Sequence, residues 1–174
     1  MAKMEDVVSA IDDKARRLGW VGAPKDEGAG SHEMALPDGR GRVRDFEHAS
    51  IYWTPEHGAF EIHGDIRIKY SRLGGFRGFL GYPVTDETGC PDGVGRFNHL
   101  EGGSIYWTPE TGAWEVHGAI RDLWAREGWE RGVAGYPVSD EFDIPGGRSS
   151  QFQRARIDWT PAGGPVLRRT VNFD

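Results

Sequence analysis

The chain repeats itself. Ser50-Ile51-Tyr52-Trp53-Thr54-Pro55-Glu56 returns as Ser104-Ile105-Tyr106-Trp107-Thr108-Pro109-Glu110, a spacing of 54. The match runs on from Gly58-Ala59-Phe60-Glu61-Ile62-His63-Gly64 to Gly112-Ala113-Trp114-Glu115-Val116-His117-Gly118. A decayed third copy, Arg156-Ile157-Asp158-Trp159-Thr160-Pro161, follows 52 residues after the second. Leu80-Gly81-Tyr82-Pro83-Val84-Thr85-Asp86-Glu87 recurs as Ala134-Gly135-Tyr136-Pro137-Val138-Ser139-Asp140-Glu141, with a remnant at Val21-Gly22-Ala23-Pro24. Blocks that recur in one order mark a tandem array. A unit of about fifty residues cannot bury a sufficient core alone, so neighbouring units must bury surface against one another.

Local patterns suggest the shape of a unit. Ile66, Tyr70 and Leu73 stand at i, i+4 and i+7, and Val8, Ile11, Ala15 and Leu18 keep the same helical period. Gly19, Gly74 and Gly128 follow as helix stops. The β-branched and aromatic run Ile51-Tyr52-Trp53-Thr54 reads as a strand, Pro55-Glu56-His57-Gly58 as a turn, and Ala59 to His63 as the returning strand. Loops are expected at Leu36–Gly41, Pro91–Gly95 and Pro145–Gly147. The expected fold is α+β, a single domain of three tandem units at about 5–64, 65–118 and 119–174. Each unit is a short helix plus a β-hairpin, and the units are arranged with pseudo-rotational symmetry around a shared aromatic core.

Charge and composition narrow the partners. The net charge is −6, which disfavours a nucleic-acid partner, because such binding needs a basic footprint. No window approaches the ~20 apolar residues of a membrane-inserting helix, and the start of the chain lacks the continuous apolar run of a signal peptide. Cys90 is the one cysteine, so no disulfide within the chain supports the fold.

The Leu80-Gly81-Tyr82-Pro83 and Ala134-Gly135-Tyr136-Pro137 blocks, with Ile-Tyr-Trp-Thr-Pro and Gly-Ala-Phe/Trp at this period, resemble the LGFP repeat over roughly residues 5–165. That resemblance implies a cell-envelope or extracellular setting. In actinobacterial envelope proteins such repeats accompany mycolyltransferases and amidases, and are thought to attach them to wall polysaccharide such as arabinogalactan. Similar repeats occur in some secreted lectin-like proteins. The implied partner is therefore a polysaccharide or cell-wall glycan, bound by a module without chemistry of its own.

The candidate ligand-binding residues are the recurring ones. Trp53, Trp107 and Trp159 are core plugs or stacking platforms for the apolar faces of sugars. Tyr52, Tyr106 and Asp158 alternate with them and are expected on an exposed face. His63 and His117 end the returning strands, where the imidazole is expected to bond backbone at the helix start. Asp86, Glu87, Asp140 and Glu141 supply carboxylates for sugar hydroxyls or turn caps, and Arg67 and Arg121 are expected to pair with these acids. Glu-x-His on a strand is too sparse for a metal site, and no cofactor motif is present. Catalytic groups normally occur once in a chain, whereas these acids and histidines are duplicated, so no enzyme is expected. Ser31-His32-Glu33 is a single-copy polar stretch with no partner that the sequence identifies. A protein-interaction or assembly module, as in a phage or secretion particle, is the alternative, and a wall-acting hydrolase the least favoured.

Overall fold

A computed structural model describes residues 4–25 and 33–170, with side chains from Ala10 onward. Ser31, His32 and the side chain of Val8 lie outside the described residues. Helix α1, Met4–Leu18, leads to a four-stranded antiparallel sheet of β1 (Met34–Ala35), β2 (Arg42–Asp45), β3 (Ser50–Thr54) and β4 (Gly58–Ile62). Helix α2, Gly64–Arg72, and a 3-10 turn at Gly75–Arg77 precede the second sheet. That sheet holds β5 (Thr88–Gly89), β6 (Arg96–Leu100), β7 (Gly103–Thr108) and β8 (Gly112–His117). Helix α3, Gly118–Arg126, and a 3-10 turn at Trp129–Arg131 lead to the third sheet. Its strands are β9 (Phe142–Ile144), β10 (Gly147–Gln151), β11 (Ala155–Thr160) and β12 (Gly164–Arg169).

The mixed α+β class and the helical stripes follow the sequence. Ile11, Ile66, Tyr70, Ile120 and Trp124 are buried. Gly74 and Gly128 end their helices in the left-handed region, at φ 99° and 102°, where a side chain would be strained. The expected hairpins are β3–β4, β7–β8 and β11–β12, with Tyr52 opposite Phe60 and Tyr106 opposite Trp114. Each hairpin is half of a four-stranded meander, which corrects the one-hairpin unit. The missed strands β6 and β10 read Arg-Phe-Asn-His-Leu and Gly-Arg-Ser-Ser-Gln. Neither has strong β-propensity, yet Asn98, Ser149 and Ser150 are fully buried within them.

In β3 and β7 both faces are covered, so alternation does not separate core from solvent there. Tyr106 is 3% exposed and Asp158 8% exposed, and Tyr52 is half-buried. The expectation that this face is exposed is therefore corrected. Asp158 is covered within its own sheet by Ser149, Arg156 and Arg168, and for the two tyrosines the cause is the following unit. Tyr70 and Tyr82 pack edge-on against Tyr52, at 5.7 and 6.2 Å between ring centroids, and Trp124 packs on Tyr106 at 4.8 Å.

The buried side chains form four clusters. Ile11, Val21, Phe46, Ala49 and Ile51 join α1 to the first sheet. Ile62, Ile66, Tyr70, Leu80, Leu100 and Ile105 join the end of that sheet to α2 and the second sheet. Leu36, Val43 and Tyr82 make a smaller group. Tyr106, Trp124, Tyr136, Phe152 and Ile157 belong to the fourth, which also takes in Cys90. Burial pushes the Cys90 thiol up to about 11, so it is poorly reactive at neutral pH.

Candidate functional site

Two seams, where one sheet meets the segment leading into the next, carry most of the recurring polar residues. In the first, the Glu61 carboxylate is 1% exposed. Its Oε1 accepts the Glu87 N–H at 2.9 Å, and its Oε2 meets His63 Nδ1 at 2.8 Å. Glu87 shares that nitrogen, its Oε2 also lying 2.8 Å from His63 Nδ1. Asp86 Oδ1 accepts the Glu61 N–H at 3.0 Å, and Lys14 from α1 reaches Asp86 Oδ2 at 2.5 Å. The second seam repeats this set with Glu115, His117, Asp140, Glu141 and Lys69.

The carboxylates favour the cationic form of both histidines. Burial alone would depress the His63 imidazole, but Glu61 and Glu87 overcome it and raise it to about 9. Glu115 likewise raises His117 above the usual histidine range, against its burial. Both residues occupy the N-cap position of a helix, yet neither side chain caps it. The expected backbone bond is thus replaced by bonds to carboxylates.

The first seam opens into a groove of about 280 Å³ lined by His63, Gly64, Asp65, Ile66, Glu87 and Trp107. Three residues singled out from the sequence, His63, Glu87 and Trp107, come together here. Trp107 is half-buried, and its Nε1–H donates to Asp65 Oδ2 at 3.0 Å, which fixes the indole. Asp65 sits in the first turn of α2, where the helix dipole favours a carboxylate. Trp20, 42% exposed, packs edge-on against His63 at 4.5 Å, and Phe79, 51% exposed, packs against His117 at 4.6 Å.

The family model for the LGFP repeat matches three times, over residues 30–78, 80–132 and 135–169. The chain belongs to the LGFP-repeat family. A search of curated proteins gives no match to it. The first two LGFP matches each span one sheet, the next helix and its 3-10 turn, and the third spans the last sheet.

Within these LGFP units the remaining candidates have structural partners. Asp86 and Asp140 hold a hairpin N–H and a lysine. Glu141 also pairs with Arg148 at 2.9 Å, as Glu87 does with Arg96 at 3.0 Å. Asp158 accepts from Ser149 Oγ at 2.7 Å and from Arg156 and Arg168. Trp53 and Trp159 are half-buried against their own clusters. Arg67 pairs with Asp45 and Arg121 with Ser104 and His99, which corrects the pairing expected for them. Sequence reasoning missed Glu61 and Glu115 as buried anchors, and Asp65 as the partner of Trp107. The Glu-x-His spacing was the available signal for the anchors; Asp65 had none, because Ala119 takes its place in α3.

Among the described residues no group of His, Cys, Asp and Glu forms a metal site, and no helix is long and apolar enough to cross a membrane.

Proposed function

We propose that the chain is a non-catalytic glycan-binding module that holds wall or other polysaccharide at its seams. The observation that carries this reading is the His63–Asp65–Glu87–Trp107 groove. It pairs an indole, fixed by a hydrogen bond, with carboxylates and an imidazolium at its wall. Sugar rings offer apolar C–H faces to an aromatic plane and hydroxyls to such polar groups, so a small concave site with one aromatic and a few polar side chains suits them. Membership of the LGFP family supports the same reading.

The seams repeat their contacts from unit to unit, which supports a constant pseudo-rotational step between units. Under that arrangement His117, Glu141 and Trp159 build a second, related groove. Two weak grooves on one chain then raise retention on a polymer through effective concentration. The acids and histidines at each seam are spent on one another, which supports a binding role over hydrolysis.

The test is retention of the full chain on insoluble actinobacterial wall polysaccharide and on unrelated glucans. Wild-type protein is expected to pellet with the wall material, and Trp107→Ala to pellet several-fold less while keeping its circular dichroism. A folded wild-type protein that stays in solution with every polysaccharide overturns the reading.

A further inference from the structure

Among the differences between the two seams, one opens a cavity. In the first seam the Arg40 guanidinium fills the space over the Tyr82 ring, 5.3 Å from its centroid. Its Nη1 and Nη2 donate to Glu101 Oε1 and Oε2 at 3.3 and 2.8 Å, and Nη2 reaches Glu56 at 3.5 Å. His57 Nε2 lies 3.2 Å from Glu101, and Phe76 stacks on Tyr82 at 5.7 Å. Arg40 is first among the causes that hold the Glu101 carboxyl down at about 2.

The equivalent positions of the second seam are identified by shared bonds. Tyr136 takes the place of Tyr82, donating to Asp92 as Tyr82 donates to Asp38, each at 2.6 Å. Gln153 takes the place of Glu101, accepting the Tyr136 N–H at 3.0 Å as Glu101 accepts the Tyr82 N–H at 2.9 Å. Val94 stands where Arg40 does, Glu110 where Glu56 does, and Glu130 where Phe76 does. The aromatic ring of that turn has moved one residue back, to Trp129, whose backbone is at φ 58°. Trp129 packs on Trp124 and Tyr106, away from the phenol it would otherwise cover.

The result is a cavity of about 500 Å³ beside Tyr136, lined by Asp92, Glu110, Glu130, Gln153 and Arg154 among others. The Arg154 Nε and Nη2 are engaged by the carbonyls of Val133 and Gly132. Asp92 is occupied by the Tyr136 hydroxyl and by the N–H groups of Val94 and Gly95. Glu110 and Glu130 make no ion pair among the described residues: Glu110 keeps the carboxylate of Glu56, Gln153 replaces that of Glu101, Glu130 brings a new one where Phe76 stood, and the cation itself has become valine. The volume lies within the range of small-ligand sites.

We propose that this cavity accepts a guanidinium group presented by another polypeptide, an arginine side chain entering where Arg40 sits in the first seam. The ring of Tyr136 receives the planar cation, as Tyr82 does for Arg40, and Glu110 and Glu130 neutralise it. The first seam is the related site occupied from within, its acids placed at Glu56 and Glu101 where the second has Glu110 and Glu130. This site shares no residue with the His63 groove, so it stands or falls independently of glycan binding.

The probe is N-acetyl-arginine methylamide, titrated into the full chain with the neutral citrulline counterpart alongside, and read by amide chemical shifts. Saturable shifts at Val94, Glu110, Glu130 and Gln153 at concentrations up to about 10 mM, at least tenfold weaker for citrulline, are the expected result. Val94→Arg rebuilds the internal occupant and abolishes them. Glu110→Gln with Glu130→Gln, both on the seam surface, weakens them several-fold and covers the case in which Val94→Arg fails to fold. Arg40→Val opens the first seam, and the arginine derivative then gives new shifts around Glu56 and Glu101. An absence of shifts in wild type, equal shifts with citrulline, or shifts that persist in Val94→Arg and in the double glutamine variant overturns the proposal.

Discussion

The Tyr82 hydroxyl reaches back across a seam to donate to Asp38 Oδ2 at 2.6 Å, and Tyr136 does the same to Asp92 at 2.6 Å. Each phenol lies on a glycine of the receiving turn, Gly41 or Gly95, where an added Cβ would overlap its oxygen. The aspartate is preorganised, because backbone N–H groups of the same turn donate to its other oxygen. Pro-Asp-Gly-x-Gly is therefore a receptor for the tyrosine of the following unit. The first unit carries Ala23 at the tyrosine position, and the third carries Pro145-Gly146-Gly147 without the aspartate. The pair is complete only where two described units meet.

Removing either hydroxyl should loosen one seam. Tyr82→Phe and Tyr136→Phe are each expected to lower unfolding free energy by about 1–2 kcal/mol, the range of a hydrogen bond to a carboxylate that is partly solvated. Gly41→Ala and Gly95→Ala should cost more, about 2–3 kcal/mol, because the phenol ring has no room to retreat. Urea unfolding followed by tryptophan fluorescence measures both, with an unchanged denaturant slope showing that the native state is intact. A neutral Gly41→Ala would show that the ring is not clamped on that turn.

The buried Glu61 should behave as an anchor. It joins an N–H of the next unit to a charged imidazole at 1% exposure. Glu61→Ala leaves the Glu87 N–H without its acceptor and His63 with Glu87 alone, and is expected to cost about 2–4 kcal/mol. Glu61→Gln keeps an oxygen for the N–H and should cost less than half of that. The same ordering is expected for Glu115, and equal losses for Ala and Gln would show that the carboxylate is not bonding across the seam.

Stability should fall on both sides of neutrality, for opposite reasons. His63 is raised to about 9 in the folded chain, so the stability it contributes is complete below its unfolded value of roughly 6.5 and disappears as pH climbs through 9. His99 is depressed to about 4 by burial and by Arg121, so the folded chain resists its protonation and loses stability as pH drops from 6.5 towards 4. Each limb should amount to about 1–3 kcal/mol. His63→Gln is expected to flatten the alkaline limb and leave the acid one. A melting profile against pH that keeps its alkaline slope in that variant would refute the assignment.

The legible part of this molecule is what local sequence controls. Ile66, Tyr70 and Leu73 show their helix by spacing alone, and Gly74 and Gly128 stop the helices at the positive φ that only glycine takes without strain. The β3–β4 hairpin follows from its β-branched run and its turn. The illegible part depends on what another unit covers. Alternation assigned Tyr106 to solvent because one sheet face is usually wet, but α3 and Tyr136 lie over it. Glu61 reads as a surface acid because its acceptor role is filled by Glu87, 26 residues away. Strand β10 escapes notice because its buried residues, Ser149 paired on both sides and Ser150 paired with β11, are not hydrophobic.

The two grooves of the proposed glycan module should differ in strength, and one residue explains why. Trp107 is fixed by its bond to Asp65 at 3.0 Å, whereas α3 carries Ala119 at that position, which has no acceptor for Trp159. A platform whose rotamer is already set loses less entropy when a sugar stacks on it. Trp107→Ala is therefore expected to reduce polysaccharide affinity more than Trp159→Ala, by about tenfold, or about 1.4 kcal/mol. Asp65→Ala should give part of that loss while leaving the indole in place, and Ala119→Asp should raise the contribution of Trp159. Affinity electrophoresis in gels containing soluble polysaccharide reads all four variants on one scale. Equal retardation by Trp107→Ala and Trp159→Ala would mean that Asp65 serves the start of α2 and not the groove.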